Sequence, residues 1–349
     1  MEKKKFFVLG LFVCLVLFLV AVIFTPAWAA EKKPIKLKLS IAYPARHPLT
    51  VNAYGVWAKK VEQRTNGQVK ITIFPGGTLA KTNENYDATI AGVCDIGFFP
   101  QAYAAGRFPV SVGMNLPMLF PSAKVARQVA WDIYNKFQEI QAEYSDVKLL
   151  LFYCTPPYEI HTVKKPIKTM GDLKGLQIRA AGPAAAGITT ALGGTPVAIS
   201  MPEAYMGLQK GVLDGLVSPF GPMKGFKTAD VTHYHTMNAT LFSNLFCVVM
   251  NLKKWNSLSA NTQKIIDEES GAAGSKLFGT AFDSITAPDI KYMKNQGDTF
   301  TTISPEEKKR WATSIEPLRD KWVKKMLGKG KPAKEILSEM IRLSEKYAR

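Results

Sequence analysis

The sequence predicts an α/β protein of two lobes with a cleft between them. Three observations predict it. Short apolar runs alternate with longer amphipathic stretches from residue 36 to 99, and again from 176 to 217. The alternation is interrupted at Thr155-Pro156-Pro157, where a chain crossing from one lobe to the other fits best. A β-rich run, 237–250, follows the second series and is placed so as to return to the first lobe. More than one crossover implies a hinge, and a hinge implies a cleft.

Lys36 to Tyr43 alternates charged and apolar residues, the pattern of a half-buried strand. Residues 49–65 have helical periodicity and end at Asn66-Gly67, a C-cap signal. Residues 68–74 read as a strand closed by Pro75-Gly76-Gly77, 83–91 as a helix, and 94–99 as a strand. This order is the signature of a parallel sheet with right-handed crossovers. A long helix over 122–144 starts at Ser122 as N-cap, and 147–153 is a further strand. The second series runs through strand 176–180, helix 183–192, strand 195–199, helix 202–210 and strand 213–217. Residues 260–295 read as one or two helices bent at 271–274 and at Pro288. Helices over 305–327 and 332–347 end the chain, and no internal repeat interrupts it. The lobes are expected at 30–155 with 247–285, and at 156–246 with 286–349.

The first 29 residues read as an export leader. Three lysines precede an uncharged stretch from Phe6 to Phe24, and Ala27-Trp28-Ala29 is a small-x-small exit. Cleavage is expected after Ala29; an uncleaved anchor is the alternative, since 19 apolar residues just suffice to span a bilayer. Cys14 does not follow the small residues of a lipoprotein signal, so no lipid anchor is expected. Export places the body of the protein in the periplasm. The formal charge of +17 would suggest nucleic acid in a cytosolic protein. Export and the even spread of lysines over the predicted helices argue against that; a positive field would instead speed the arrival of a small anion. Cys94, Cys154 and Cys247 are widely spaced in apolar runs and read as buried free thiols, not a disulfide framework. Of the four histidines, His233 and His235 are two apart and His47 and His161 are distant, so metal-ligand spacing is weak evidence here. There is no Gly-x-Ser-x-Gly elbow and no phosphate loop, so neither enzyme nor cofactor is expected.

Ligands of open α/β sheets sit beyond the carboxyl ends of the strands. Phe99-Pro-Gln101, Arg179 and Ser218-Pro-Phe220 each fall just past a predicted strand. Arg179 ends an apolar run and is followed by small residues. A guanidinium there offers a planar fork that fits a carboxylate with two parallel hydrogen bonds.

The run from Lys165 to Arg179, "KPIKTMGDLKGLQIR", is the most specific element of a wider resemblance. With it go Phe74 to Ala80 and Ile90 to Gly97 upstream and Ala191 to Ala198 and Glu203 to Gly215 downstream, in this order along the chain. Together they resemble the DctP-type extracytoplasmic solute-binding subunits of TRAP (tripartite ATP-independent periplasmic) transporters, over nearly the whole chain after the leader. The resemblance implies a periplasmic-binding-protein-like fold with a long helix bridging both lobes. It also implies that Arg179 binds the carboxylate of an organic acid, which a TRAP membrane permease then receives. Most such relatives are monomers. A sensor or scaffold using the same fold without transport is the alternative. The sequence departs from the common pattern at Ser218, where many members carry asparagine. It also lacks the second arginine that sugar-acid binders place before the Lys-Pro-Ile stretch, where this chain has Pro157 to His161. A monocarboxylate with an apolar or aromatic tail is therefore expected. Tyr43, Phe98, Phe99, Tyr103, Tyr158, Phe220 and Phe242 supply candidate cleft aromatics, and Gln101, Tyr158, His161 and Ser218 candidate hydrogen-bonding groups. Arg107 is read as a structural or surface residue.

Overall fold

The computed structural model describes residues 33–104 and 106–349; the leader at 1–29 lies outside them. Two mixed sheets carry the two lobes. The first contains β1 (Ile35–Ser40), β2 (Val69–Phe74), β3 (Ile96–Pro100), β4 (Val147–Cys154) and β10 (Leu245–Asn251), in the order β2-β1-β3-β10-β4. The second contains β5 (Glu159–Thr162), β6 (Gln177–Arg179), β7 (Thr195–Val197), β8 (Gly215–Ser218), β9 (Tyr234–Met237) and β11 (Thr299–Thr302), in the order β11-β9-β5-β8-β6-β7. Both belong to one compact unit, Lys36–Arg349.

The first sheet is not all parallel, as the sequence pattern predicted. β1 and β3 are parallel, but β10 inserts between β3 and β4 antiparallel to both. The reason is the route of the chain. β4 leaves toward the second lobe, and β10 comes straight back from it with no crossover helix, so the two must run in opposite senses. The predicted β-rich run over 237–250 is accordingly two strands. Between them, Asn238 and Thr240 take positive φ angles of 61° and 51°, and the carboxylate of Glu159 accepts the N–H groups of Ala239 and Thr240.

Helix punctuation follows local chemistry. Ser122 caps Ala123–Lys136 by accepting from the Val125 N–H at 3.2 Å. The expected helix over 122–144 breaks at Phe137, whose backbone is extended, and resumes as Gln138–Ala142. The helix expected over 305–327 is split into Pro305–Ile315 and Pro317–Leu327, because Pro317 lacks the N–H needed to continue the ladder. Residues 260–295 form two helices, Ala260–Glu269 and Gly271–Asn295, joined where Gly271 has φ +49°. Pro288 stays inside the second.

The helix Gly271–Asn295 touches both lobes. Near its start, Phe278 packs edge-on against Tyr54 of the first lobe at 4.7 Å and against Tyr153 at 5.3 Å. Near its end, Met293 joins Leu208, Leu213, Leu216 and Phe220 in a second-lobe cluster. The end of the chain departs from the expected division. Residues 286–349 were expected in the second lobe, but Trp322, Met326, Ile336, Met340 and Leu343 complete the first lobe's core with Val125, Val129 and Ile133. The apolar stripe of Ala333–Ala348 finds its partner on Ala123–Lys136, which sequence periodicity alone does not specify. Cys94, Cys154 and Cys247 are free and buried. No helix among the described residues is long and apolar enough to cross a membrane.

Phe278 is fully buried at the point where the bridging helix meets the first lobe. Phe278→Ala is expected to cost about 3–5 kcal/mol of unfolding free energy, measured by denaturant titration. A loss below 1 kcal/mol would remove that contact from the account of how the lobes are joined.

Candidate ligand-binding site

The cleft between the sheets holds a small cavity lined from both lobes. Its polar end is Arg179, at the carboxyl end of β6, only 3% exposed. Three of its N–H groups are committed. Nε donates to the Ile199 carbonyl at 2.9 Å, Nη1 to the Val217 carbonyl at 3.4 Å, and Nη2 to the Tyr103 hydroxyl at 2.7 Å. One N–H remains on each terminal nitrogen. No carboxylate is within ion-pair distance of it among the described residues, and it is the one cation in the cavity wall among them. The guanidinium is thus buried and oriented, with its charge uncompensated.

Tyr103 comes from the first lobe, in the turn Gln101–Ala104 after β3. Its hydroxyl accepts from Arg179 and from the Met201 N–H at 3.1 Å. With both lone pairs used, its own proton is left to donate. Tyr158 is similar. Its hydroxyl accepts from Asn244 Nδ2 at 3.4 Å, and the Phe242 ring packs against its own, tilted, at 4.3 Å. Burial pushes the Tyr158 phenol up to about 12, against the pull of Arg179 and the Asn244 hydrogen bond, so it stays a neutral donor. The rest of the wall is mostly apolar: Tyr43, Phe98, Phe226, Phe246 and Phe282, with Pro219 and Pro222.

Of the residues singled out from sequence, Arg179, Tyr158, Tyr43, Ser218, Phe98 and Tyr103 line this cavity. The Ser218 hydroxyl is turned to the Pro219 carbonyl at 2.9 Å. Phe99, Gln101, Phe220 and His161 do not line it. Successive residues of a strand face opposite sides. Phe98 and Phe246 share the cavity side of the first sheet at 5.4 Å, and Phe99 falls on the other, stacked on Phe108 in the core. Gln101 is buried beneath the sheet, donating to Ser111 Oγ and to the Tyr144 hydroxyl. Phe220 packs against His161 at 4.7 Å in the second lobe's core. His161 bonds His235 and the Ser218 carbonyl instead of facing a ligand. Arg107 is half exposed and pairs with Asp87. Asn244, Phe226, Phe246 and Phe282 were missed. Phe282 is one turn beyond Phe278, and that i, i+4 spacing on a bridging helix was the available signal.

The model of the bacterial extracellular solute-binding proteins of family 7, DctP, matches residues 39–325. The chain belongs to this family. It is similar to solved TRAP solute-binding proteins over 90% of its length. One from Rhodoferax ferrireducens, in complex with copurified benzoate, is 25% identical with a TM-score of 0.86 and 98% of that chain covered. A marine metagenome protein specific for aromatic acid ligands, co-crystallised with 3-hydroxybenzoate, is 29% identical with a TM-score of 0.86 and 99% covered. One from Bordetella bronchiseptica, with bound (R)- and (S)-mandelate, is 26% identical with a TM-score of 0.84 and wholly covered.

In this DctP-family protein the lobes also meet beside the cavity. His47 of the first lobe is buried against Gly225 and Phe226 of the second. A Cβ on Gly225 would lie 2.1 Å from the imidazole Cδ2, so only glycine permits the approach. His47 Nδ1 accepts from the Leu49 N–H, and Nε2 is buried without a partner. Burial pushes this imidazole down to about 4. A cleft that opens around His47 would return it toward 6.5. Below 6.5 the open form then takes up a proton that the closed form refuses. Closure is therefore at full strength above about pH 6.5 and weakens as pH falls toward 4. Ligand affinity, measured by titration calorimetry, is expected to fall by up to roughly 30-fold between about pH 7.5 and 5. His47→Leu should flatten that change. An unchanged slope in the variant would mean that His47 stays buried when the lobes part.

Proposed function

We propose that this protein captures a small monocarboxylate with an apolar or aromatic tail and delivers it to a TRAP membrane permease from the periplasmic side. The observation that carries this reading is Arg179: a buried, uncompensated guanidinium with one free N–H on each terminal nitrogen, facing a cavity walled by aromatic rings. A carboxylate accepts two parallel hydrogen bonds from such a fork. Tyr103 and Tyr158 add phenolic donors from the two lobes. Aromatic and apolar walls suit a ring or a branched chain at the other end. With one cation in the wall, a second carboxylate would be buried without a partner, which disfavours dicarboxylates. The relatives found with benzoate, 3-hydroxybenzoate and mandelate hold ligands of the same class.

The mechanism is capture by closure. Arg179 belongs to the second lobe and Tyr103 to the first, so a carboxylate bound to Arg179 sits at the seam and touches both. A ligand closes the cleft only to the extent that it binds the closed form better than the open one. Binding and release are the whole task, and no bond of the ligand is made or broken.

The test is thermal stabilisation of residues 30–349 by benzoate, mandelate, succinate and glucuronate. A ligand at ~100 times its dissociation constant should add about 2.7 kcal/mol. Benzoate or mandelate should stabilise the protein more than succinate or glucuronate. Arg179→Ala should lose about 3–5 kcal/mol of binding, and Tyr103→Phe about 1–2 kcal/mol. Succinate or glucuronate as the preferred ligand would overturn the monocarboxylate reading. Undiminished binding by Arg179→Ala would overturn the anchor.

A further inference from the structure

Behind the cavity wall lies a chain of hydrogen bonds that ligand capture does not explain. β5 and β9 pair with His161 opposite His235. Their Nδ1 atoms are 2.9 Å apart. At one end, His161 Nε2 is 3.0 Å from the carbonyl of Ser218, a cavity-lining residue. At the other, His235 Nε2 is 3.2 Å from Asp298 Oδ2. Asp298 Oδ1 in turn faces Nδ1 of His233 at 3.0 Å, and His233 is half exposed. The side chains of His235 and Asp298 are 0% and 2% exposed, and His161 is fully buried.

A proton count constrains this chain. A carbonyl and a carboxylate stand at its two ends, and both only accept. Three hydrogen bonds therefore need three protons, while two neutral imidazoles carry two. The third proton must reside on one of the rings or on Asp298. Burial pushes both imidazoles toward the neutral form, and their proximity adds to this for His161. At His235 burial outweighs the opposing pull of Asp298, so its net direction is still down. The geometry of the three contacts is what requires a third proton, and the carboxylate beside His235 makes that end of the chain the place to hold it. Other groups face the chain from the packed elements. Lys294 and Tyr292 lie on the bridging helix, with Lys294 over the Phe300 ring that covers His235. Arg179 lies across β8, bonded to the Val217 carbonyl. None of these replaces the missing donor.

We propose that His161, His235 and Asp298 form a proton-retaining brace for the Ser218 wall of the cavity, so that ligand retention weakens when alkaline pH removes the shared proton. Losing it breaks one of the three bonds. Whichever breaks, a buried acceptor in the chain that begins at the Ser218 carbonyl loses a hydrogen-bond partner. The brace is complete while the third proton is held and is lost as rising pH removes it. His233, half in solvent, is the route by which the proton reaches water. The coupling to ligand rests on the reading of the cleft given above; the proton count does not.

The test uses residues 30–349 with ring-¹⁵N histidine, without ligand, followed by NMR across pH 6–9. One buried histidine should show imidazolium nitrogen shifts at pH 7.5. In Asp298→Asn the side-chain amide can turn and donate to His235 Nε2. Two neutral rings then satisfy all three bonds, so this variant should fold and show neutral rings only. Two neutral rings in the wild type at pH 7.5, together with an Asp298 carboxyl ¹³C shift of the ionised form in a sample so labelled, would overturn the brace, and so would an imidazolium that persists in Asp298→Asn. Benzoate affinity measured on both proteins tests the coupling. It should fall at least tenfold from pH 6.5 to 9 in the wild type and stay level in the variant; a level wild type overturns the coupling. If benzoate binds neither protein at any pH, the ligand reading fails, and the spectra alone uphold or overturn the brace.

Discussion

A positive charge held out of water without a counter-charge is the constraint on which this structure turns. Arg179 is placed by β6, fixed by two backbone carbonyls from neighbouring segments, and met by a tyrosine from the other lobe. Carbonyl and hydroxyl dipoles orient the guanidinium and lessen its cost, but they do not neutralise it. Leaving a buried charge unpaired costs several kcal/mol. That cost is the reservoir from which anion binding draws, because the ligand supplies the missing charge. Aromatic walls strengthen the effect by keeping water and its screening away from the pair.

The same arrangement explains why the fold has two lobes and a seam. Arg179 and Tyr103 come from different sheets, so their meeting in the cavity requires the lobes to be together. The bridging helix holds them in register, with Phe278 seated among first-lobe tyrosines and Met293 in the second-lobe core. At the seam, His47 fills the space that Gly225 leaves open. Two histidine systems thus flank one cavity, and they respond to opposite ends of the pH scale. His47 resists closure when it is charged, whereas the His235–Asp298 pair supports the wall only while it holds its proton.

The strand-and-helix alternation, the crossover near Pro156 and the position of Arg179 at a strand end were all legible in the sequence. Each follows from local periodicity or from turn chemistry. What was not legible depends on facing and on distant partners. Phe98 and Phe99 are equally apolar neighbours, and only the strand pairing decides which one faces the cavity. Gln101 and His161 were candidate hydrogen-bonding groups of the cleft, but each is satisfied elsewhere. Their partners are Ser111 and Tyr144 for one, and His235 and Ser218 for the other, all far from them in sequence. Asn244, Phe246 and Phe282 reach the cavity from elements whose placement is tertiary. The final helix gave the same lesson: its stripe was visible, but the lobe that would bury it was not.

The central claim is that charge, not ring shape, dominates recognition in this cavity. Benzoate and benzamide separate the two, since they share shape and differ in charge. Titration calorimetry of both against the wild-type protein is the most direct measurement. The account predicts benzamide binding at least about 100-fold more weakly, the loss of a charge-assisted pair in a dry site. Equal affinities would contradict it, and would mean that Arg179 is held by its carbonyls for the sake of the fold alone.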